Sequence, residues 1–234
     1  MPHEYLKALT TPAVEAARER YGSRTAMSRL IEGWDTDARL GDEEAAFIAA
    51  RDGFHLATVG ETGWPYVQYR GGRSGFLHIL DDTTLGWADV RGNRQYLSVG
   101  NLDADPKAAL FLMDQARRLR LKVLGTAEVL DARGADERTS ALVEQLSAPG
   151  TDGRVERVVL FHVLAHDWNC QQHITPRFTR EELDVAVAPL RTELARLRAE
   201  NSDLRARLDA AAQVPDSRAT SGANSSMNAL FTLT

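Results

Sequence analysis

FHLATVGETGWPYVQYRGGRSGFLHILDDTTLGWADV, residues 54–90, sets four apolar, strand-like runs between short polar links. The runs are FHLATV (54–59), PYVQYRG (65–71), GFLHIL (75–80) and LGWADV (85–90). Gly60-Glu61-Thr62-Gly63 and Asp81-Asp82-Thr83-Thr84 have hairpin length and turn-forming residues. Three more runs follow: ALFLMD (109–114), LRLKVLGTAEVLD (119–131) and VERVVLFHVL (155–164). Seven strands with few helices between them favour an antiparallel sheet or barrel over a doubly wound parallel sheet. The helices the pattern adds are short. Thr11-Pro12 reads as an N-cap followed by proline in the first turn of a helix to Arg20. DEEAAFIAARD fits a second helix, with Gly53 where a C-terminal cap belongs. Two more are expected near Arg94–Asp103 and Asp136–Leu146.

The chain has 234 residues, 43% of them hydrophobic and 26% charged, which is ordinary for a globular protein. A net charge of -5 argues against a general nucleic-acid binder. No apolar run reaches the roughly 18 residues of a membrane span. The first residues, MPHEYLKALTTPAVEAARERYG, lack the apolar core of a secretory signal. Cys170 is the only cysteine, so neither an intrachain disulfide nor a thiolate zinc cluster is possible. A reducing cytoplasm is the expected location.

ADVRGNRQYLSVGN (88–101) leaves an apolar strand and at once sets out Arg91, Gly92, Asn93, Arg94 and Gln95. That density of cationic forks and hydrogen-bond donors at the mouth of a sheet suits a phosphate or another planar anion. A solvated basic loop would read the same way, so the rest of the chain has to decide. In PYVQYRGG, strand alternation puts Tyr66, Gln68 and Arg70 on one face and Val67 and Tyr69 on the other.

Three segments together resemble the pyridoxamine 5'-phosphate oxidase-like family of FMN-binding split barrels, over roughly Asp42 to Phe178. PYVQYRGG (65–72) resembles the strand that lines the flavin ring and begins the phosphate site. LGWADVRGNRQ (85–95) is similar to the element that holds the ribityl chain and phosphate. DWNCQQHITPRF (167–178), placed after the last barrel strand, is similar to a C-terminal element that reaches a flavin from the dimer partner. The resemblance implies an antiparallel split β-barrel with flanking helices (α+β) and FMN bound at a homodimer interface. It implies cofactor contacts from Gln68, Tyr69 and Arg70, and from Trp87, Ala88, Asp89, Gly92, Asn93, Arg94 and Gln95. Arg94 is first among these, since it occupies the loop's basic position. It also implies Arg120 on the strand LRLKVL, and Gln171, Gln172, His173 and Arg177 from the partner subunit. Trp87 stacked on the flavin and Trp87 filling the barrel remain alternatives, as do a flavin-facing and an outward-facing Arg120.

The implied activity is an FMN-dependent oxidoreductase acting on a small molecule. True pyridoxamine phosphate oxidases carry an arginine- and histidine-bearing segment where this chain has WNCQQHITPRF, which counts against that substrate. A non-catalytic flavin carrier or redox sensor, or a barrel holding deazaflavin or haem, are the alternatives. His162 and His166 fall on a strand and its exit, poor placement for a metal pair, and no base is fixed beside Cys170. No dinucleotide fingerprint or Walker motif appears.

From Leu183 the chain reads LDVAVAPLRTELARLRAENSDLRARL. Leu183, Leu190, Leu197 and Leu204 recur every seven residues, and Val187, Leu194, Asn201 and Leu208 fill the second seam. One asparagine at an a position favours a parallel two-stranded coil. A single amphipathic helix lying on the barrel is the simpler alternative. Pro189 is a difficulty, because proline inside a helix costs about 3 kcal/mol, and a break behind it is expected. HDWNCQQHITPRFTREEL, ahead of the repeat, has too few Lys and Arg for a DNA-binding basic region. The expected organisation is a helical lead (1–41), the barrel (42–180), the zipper-like helix (181–212) and a disordered tail (213–234).

Overall fold

The computed structural model describes residues 3–33, 39–147, 151, 153–168 and 172–212. Gln171, Cys170 and the tail 213–234 therefore lie outside the described residues. The described residues divide between Arg177 and Phe178 into two compact units. In the first unit the helices are α1 (Glu4–Leu9), α2 (Pro12–Arg20), α3 (Arg24–Gly33), α4 (Asp42–Ala49), α5 (Leu97–Ala104) and α6 (Glu137–Ser147). Its strands are β1 (Gly53–Val59), β2 (Pro65–Gly71), β3 (His78–Asp81), β4 (Thr84–Val90), β5 (Lys107–Asp114), β6 (Leu119–Asp131) and β7 (Val155–Trp168). The second unit contributes α7 (Arg180–Ala212).

The seven strands form one sheet in the order β2-β1-β5-β6-β7-β4-β3, and each neighbouring pair is antiparallel. β2 and β3 are its two edges, so the sheet curls without closing. Phe54 and Leu56 of β1, Trp87 of β4, Leu110 and Leu112 of β5, Leu121 and Val123 of β6, and Phe161 of β7 fill the inner face. A smaller core of Leu146, Val158 and Leu160 lies under α6, with Leu80, Ala88, Leu130, Leu142 and Val143 against it. β7 is thus covered on both faces, which is why its middle reads as an uninterrupted apolar run rather than an alternating one.

Several boundaries differ from the sequence reading. Gly53 opens β1 instead of capping α4, whose C-cap is Ala50. A Cβ at Gly53 would collide with the Tyr69 ring, so the glycine serves close packing. β3 starts at His78 rather than Gly75, because Gly75 adopts φ +87 and Phe76 and Leu77 turn into the core. β7 continues to Trp168, so Asp167 and Trp168 belong to the barrel and not to a segment beyond it. Trp168 is held there by donating its indole N–H to Glu44 at 2.6 Å and packing edge-on against Phe47. α7 runs unbroken through Pro189. It begins with a capping box: the Thr179 hydroxyl accepts from the Glu182 N–H at 3.1 Å, and Glu182 accepts from the Thr179 N–H at 2.7 Å. Among the described residues no helix is long and apolar enough to cross a membrane.

Candidate functional site

The inner face of edge strand β2 departs from the rest of the barrel. Phe54, Leu56 and Thr58 of β1 stand opposite Arg70, Gln68 and Tyr66. Paired residues share a face, so these three polar side chains point where apolar ones would otherwise extend the core. Their exposure alternates with that of Pro65, Val67, Tyr69 and Gly71. The Tyr66 hydroxyl donates to Gln68 Oε1 at 2.6 Å, and Gln68 Nε2 donates to the Tyr69 carbonyl at 3.2 Å.

Across the open seam stands Asp89 of β4, 6% exposed and in phase with Trp87 on the inner face. Arg157 of β7 is its cross-strand partner, the last pair before the register shift between Asp89 and Val90. Arg157 Nε and Nη2 donate to Asp89 Oδ2 at 3.0 and 2.7 Å, and Arg157 Nη1 donates to Glu156 at 3.3 Å. Burial works against the Arg157 charge, but the Asp89 and Glu156 carboxylates outweigh it and raise its pKa. Arg70 Nε lies 3.2 Å from Asp89 Oδ1, close enough for charge attraction but too poorly aligned for a hydrogen bond. Its N–H is buried and lacks an acceptor, a defect of about 1–3 kcal/mol that an acceptor in the seam would relieve.

The loop after β4 closes the third side. Asn93 Oδ1 accepts from the Gln95 N–H at 3.1 Å and Asn93 Nδ2 donates to the Gln95 side chain at 3.3 Å, a tight local turn. Arg94 and Tyr96 both adopt the left-handed conformation, with φ of 63 and 54. Left-handed backbone costs a non-glycine residue about 1–2 kcal/mol, and two such residues in three positions aim the chain sharply into α5. Tyr96 is the N-cap of α5 and supplies no side-chain hydrogen bond to it. The first helical bond runs from the Gly100 N–H to the Tyr96 carbonyl, so the N–H groups of Leu97, Ser98 and Val99 have no intrahelical acceptor.

These elements enclose a cleft of about 140 Å³, lined by Tyr66, Gln68, Arg70, Asp89, Val90, Gly92 to Val99 and Arg157. Three guanidiniums and one carboxylate among them leave two net positive charges. Arg94 is exposed and makes no ion pair with any described residue. Gly92 has no positive φ, and a Cβ there would meet nothing within 4 Å. Its smallness therefore relieves no clash within this chain.

The residues singled out from sequence divide clearly. Gln68, Arg70, Asp89, Gly92, Asn93, Arg94 and Gln95 come together in this cleft. Trp87 and Ala88 do not line it; with Gly71, Gly72 and Phe76 they border an adjoining hollow that shares Arg70, Asp89 and Val90. Trp87 is 1% exposed and packs edge-on against Phe54 at 5.2 Å, so it fills the barrel. Tyr69 is on the opposite face of β2, against His55. Burial and the Asp52 carboxylate raise its phenol pKa. Arg120 lies in phase with Lys122, on the face away from buried Leu121 and Val123, and is absent from the cleft lining. Gln172, His173 and Arg177 are exposed and lie outside the cleft; Gln171 is outside the described residues.

Arg157, Tyr96 and Ser98 were missed. Arg157 carried a readable signal, since VERVVLF places it in phase with Val159 and Phe161, and a charge alternating into a barrel wall needs a partner. Among the described residues no group of three or more His, Cys, Asp or Glu is gathered as for a metal.

Comparison with known proteins bears on this architecture. The structure of HupZ from Group A Streptococcus is similar at 18% identity, over 59% of this chain and 99% of that one, with a TM-score of 0.45. A protein of Clostridium acetobutylicum related to general stress protein 26 of B. subtilis (pyridoxinephosphate oxidase family) is 18% identical over 60% and 94%, with a TM-score of 0.38. An F420 reductase is 19% identical over 55% and 98%, with a TM-score of 0.39. No curated protein matches the chain. The family model of pyridoxamine 5'-phosphate oxidase matches residues 40–168, more than half of the chain and the whole span from α4 to the end of β7. With the split antiparallel sheet, that match means the chain belongs to the pyridoxamine 5'-phosphate oxidase family.

Proposed function

We propose that the protein is an FMN-dependent oxidoreductase whose seam cleft binds the cofactor's phosphate. One observation carries this reading. The cleft lining carries two net positive charges and includes the first three residues of α5, whose N–H groups lack intrahelical acceptors, which suits a group with close to two negative charges. Arg94 would supply the mobile bidentate contact, and Arg70 and Arg157 the fixed field, held in place by Asp89. The unsatisfied Arg70 Nε–H and the room beside Gly92 fit the same occupant. Gln68, oriented by Tyr66, is the amide available toward the rest of the cofactor. When bound, the flavin supplies hydride or electron transfer, while this chain binds, orients and sets the electrostatics around it. The proposal includes a homodimer with two equivalent sites, in which Gln172, His173 and Arg177, which do not line this cleft, would reach the partner's.

The test is to purify the protein, record its visible spectrum and identify the released cofactor by mass spectrometry. A flavin spectrum with FMN released is expected, and reduced flavin should reoxidise with turnover of an added acceptor. Protein that carries haem or a deazaflavin and rejects FMN would overturn the assignment. Bound FMN without turnover of any acceptor would make the protein a carrier or sensor.

A further inference from the structure

We infer that α7 is one strand of a parallel, in-register, two-stranded coiled coil formed with a second copy of this chain. The inference is independent of the cofactor. α7 is 33 residues long and none of them is buried. Leu183, Leu190, Leu194, Leu197, Leu204 and Leu208 are between 47% and 69% exposed. Helix propensity alone holds a segment of this kind only marginally, and most helices in proteins depend on packing an apolar face. The leucines recur in a seven-residue pattern, the spacing of a seam that faces another helix.

The charges beside the seam specify the occupant. With Leu194 and Asn201 at a positions, Glu193 and Glu200 occupy g, and Arg198 and Arg205 the e positions five residues on. In a parallel pair each g glutamate meets the partner's e arginine. An antiparallel pair would set g against g and e against e, glutamate to glutamate and arginine to arginine. Within one helix, Glu193 and Glu200 bond Arg196 at 2.9 and 3.0 Å, whereas Arg198 and Arg205 make no ion pair with any described residue. The seam is thus self-complementary in one orientation, with its second cation set unspent. Asn201 adds a polar layer that is satisfied only when two copies are in register. Pro189 lies at a c position, outside the seam, so continuation of α7 through it leaves the apolar stripe intact.

The test uses the full chain with Cys170→Ser as background. Leu197→Cys is in the seam and Ala199→Cys on the far face. Mild oxidation is expected to convert Leu197→Cys almost entirely to a disulfide dimer and to leave Ala199→Cys monomeric on denaturing gels. Adding Arg198→Glu and Arg205→Glu should cut the crosslinking rate several-fold, and adding Glu193→Arg and Glu200→Arg as well should restore it. Rescue by charge exchange cannot come from a helix that merely lies on its own barrel. No crosslink at 197, equal crosslinking at 199, or a rate indifferent to the charge reversal would each overturn the parallel pair. Should Leu197→Cys fail to fold, Leu204→Cys, one heptad on in the same seam, carries the same charge-reversal and rescue series: no crosslink, or a rate indifferent to the reversal, overturns the pair, and a rate that falls and recovers supports it.

Discussion

Asp89 is the residue whose removal tests the seam most directly. Its carboxylate is 8% exposed, between an Arg157 side chain at 11% and an Arg70 side chain at 23%. Asp89→Ala would leave Arg157 with its 3.3 Å bond to Glu156 and its contact over the Tyr96 ring, and Arg70 without its counter-charge. Breaking a buried pair by removing one partner costs about 3–5 kcal/mol. Here the surviving Glu156 contact and the open cleft reduce that to roughly 2–4 kcal/mol. At about 2–4 °C per kcal/mol for a unit of this size, the melting temperature should fall by at least about 4 °C. Phosphate should act in the opposite sense. With the carboxylate gone the lining carries three net positive charges instead of two, so a dianion gains more from binding. Thermal melts by circular dichroism, with and without sodium phosphate at constant ionic strength, would show a larger phosphate-induced rise in the variant than in the unaltered protein. An Asp89→Ala protein that melts within about 1 °C of the parent would refute the claim that this carboxylate holds the two guanidiniums.

Other substitutions separate binding from folding. Arg94→Ala should weaken FMN binding by about 1.5–3 kcal/mol through lost charged hydrogen bonds, measured by titrating the apoprotein; unchanged affinity removes Arg94 from the site. Arg94→Gly should bind as weakly yet melt higher than Arg94→Ala, because only glycine relieves φ 63; the reverse order of melting temperatures contradicts the strain. Gly125→Ala should unfold the barrel, since a Cβ there would collide with the His162 carbonyl and the Phe161 ring; a soluble variant with native circular dichroism argues against that packing. Burial pushes the Glu44 carboxyl up, but the Trp168 indole, backbone N–H groups and His166 together bring it below the usual glutamate range. Its contribution is therefore present above about pH 4.3 and lost as acid protonates it in the folded state. Glu44→Gln should cost stability in urea at pH 7 and converge with the parent near pH 3; an equal loss at both pH values contradicts this linkage.

The strands were legible because hairpin-length links and apolar runs are local signals. β6 matches its expected span, and β1, β2 and β4 match theirs to within a residue. The errors arose where tertiary contacts overrode the local pattern. β7 continues past Leu164 because Trp168 finds Glu44 and Phe47 on α4, residues more than a hundred positions away in the chain. Gly53 looks like a helix cap in sequence, but the Tyr69 ring that forbids a side chain there comes from the next strand. Nor does local pattern show how many helices precede the barrel: α1 is tied down by long-range contacts, among them the bond from the His3 N–H to the Ile31 carbonyl.

The cleft was legible on one side of the seam and less so on the other, and the difference is one of phase. On β2, alternation alone put Gln68 and Arg70 on a common face, and the register against Phe54 and Leu56 turns that face inward. On the opposite wall, two arginines alternate into barrel strands, Arg120 on β6 and Arg157 on β7, and both call for a partner. Arg120 is one residue out of step with Leu121 and Val123, and so it leaves the inner face. Arg157 is in step with Val159 and Phe161, and so it enters. What sequence cannot supply is the pairing of Asp89 with Arg157, which depends on the register in which β4 and β7, far apart in the chain, align. That pairing changes the role of Asp89. A carboxylate beside a phosphate would repel it, but one that holds two guanidiniums spends its charge on them and leaves the cleft cationic. In the proposed function Asp89 is thus a positioning residue for the cations, and Arg70, Arg94, Arg157 and the first turn of α5 would bind the anion.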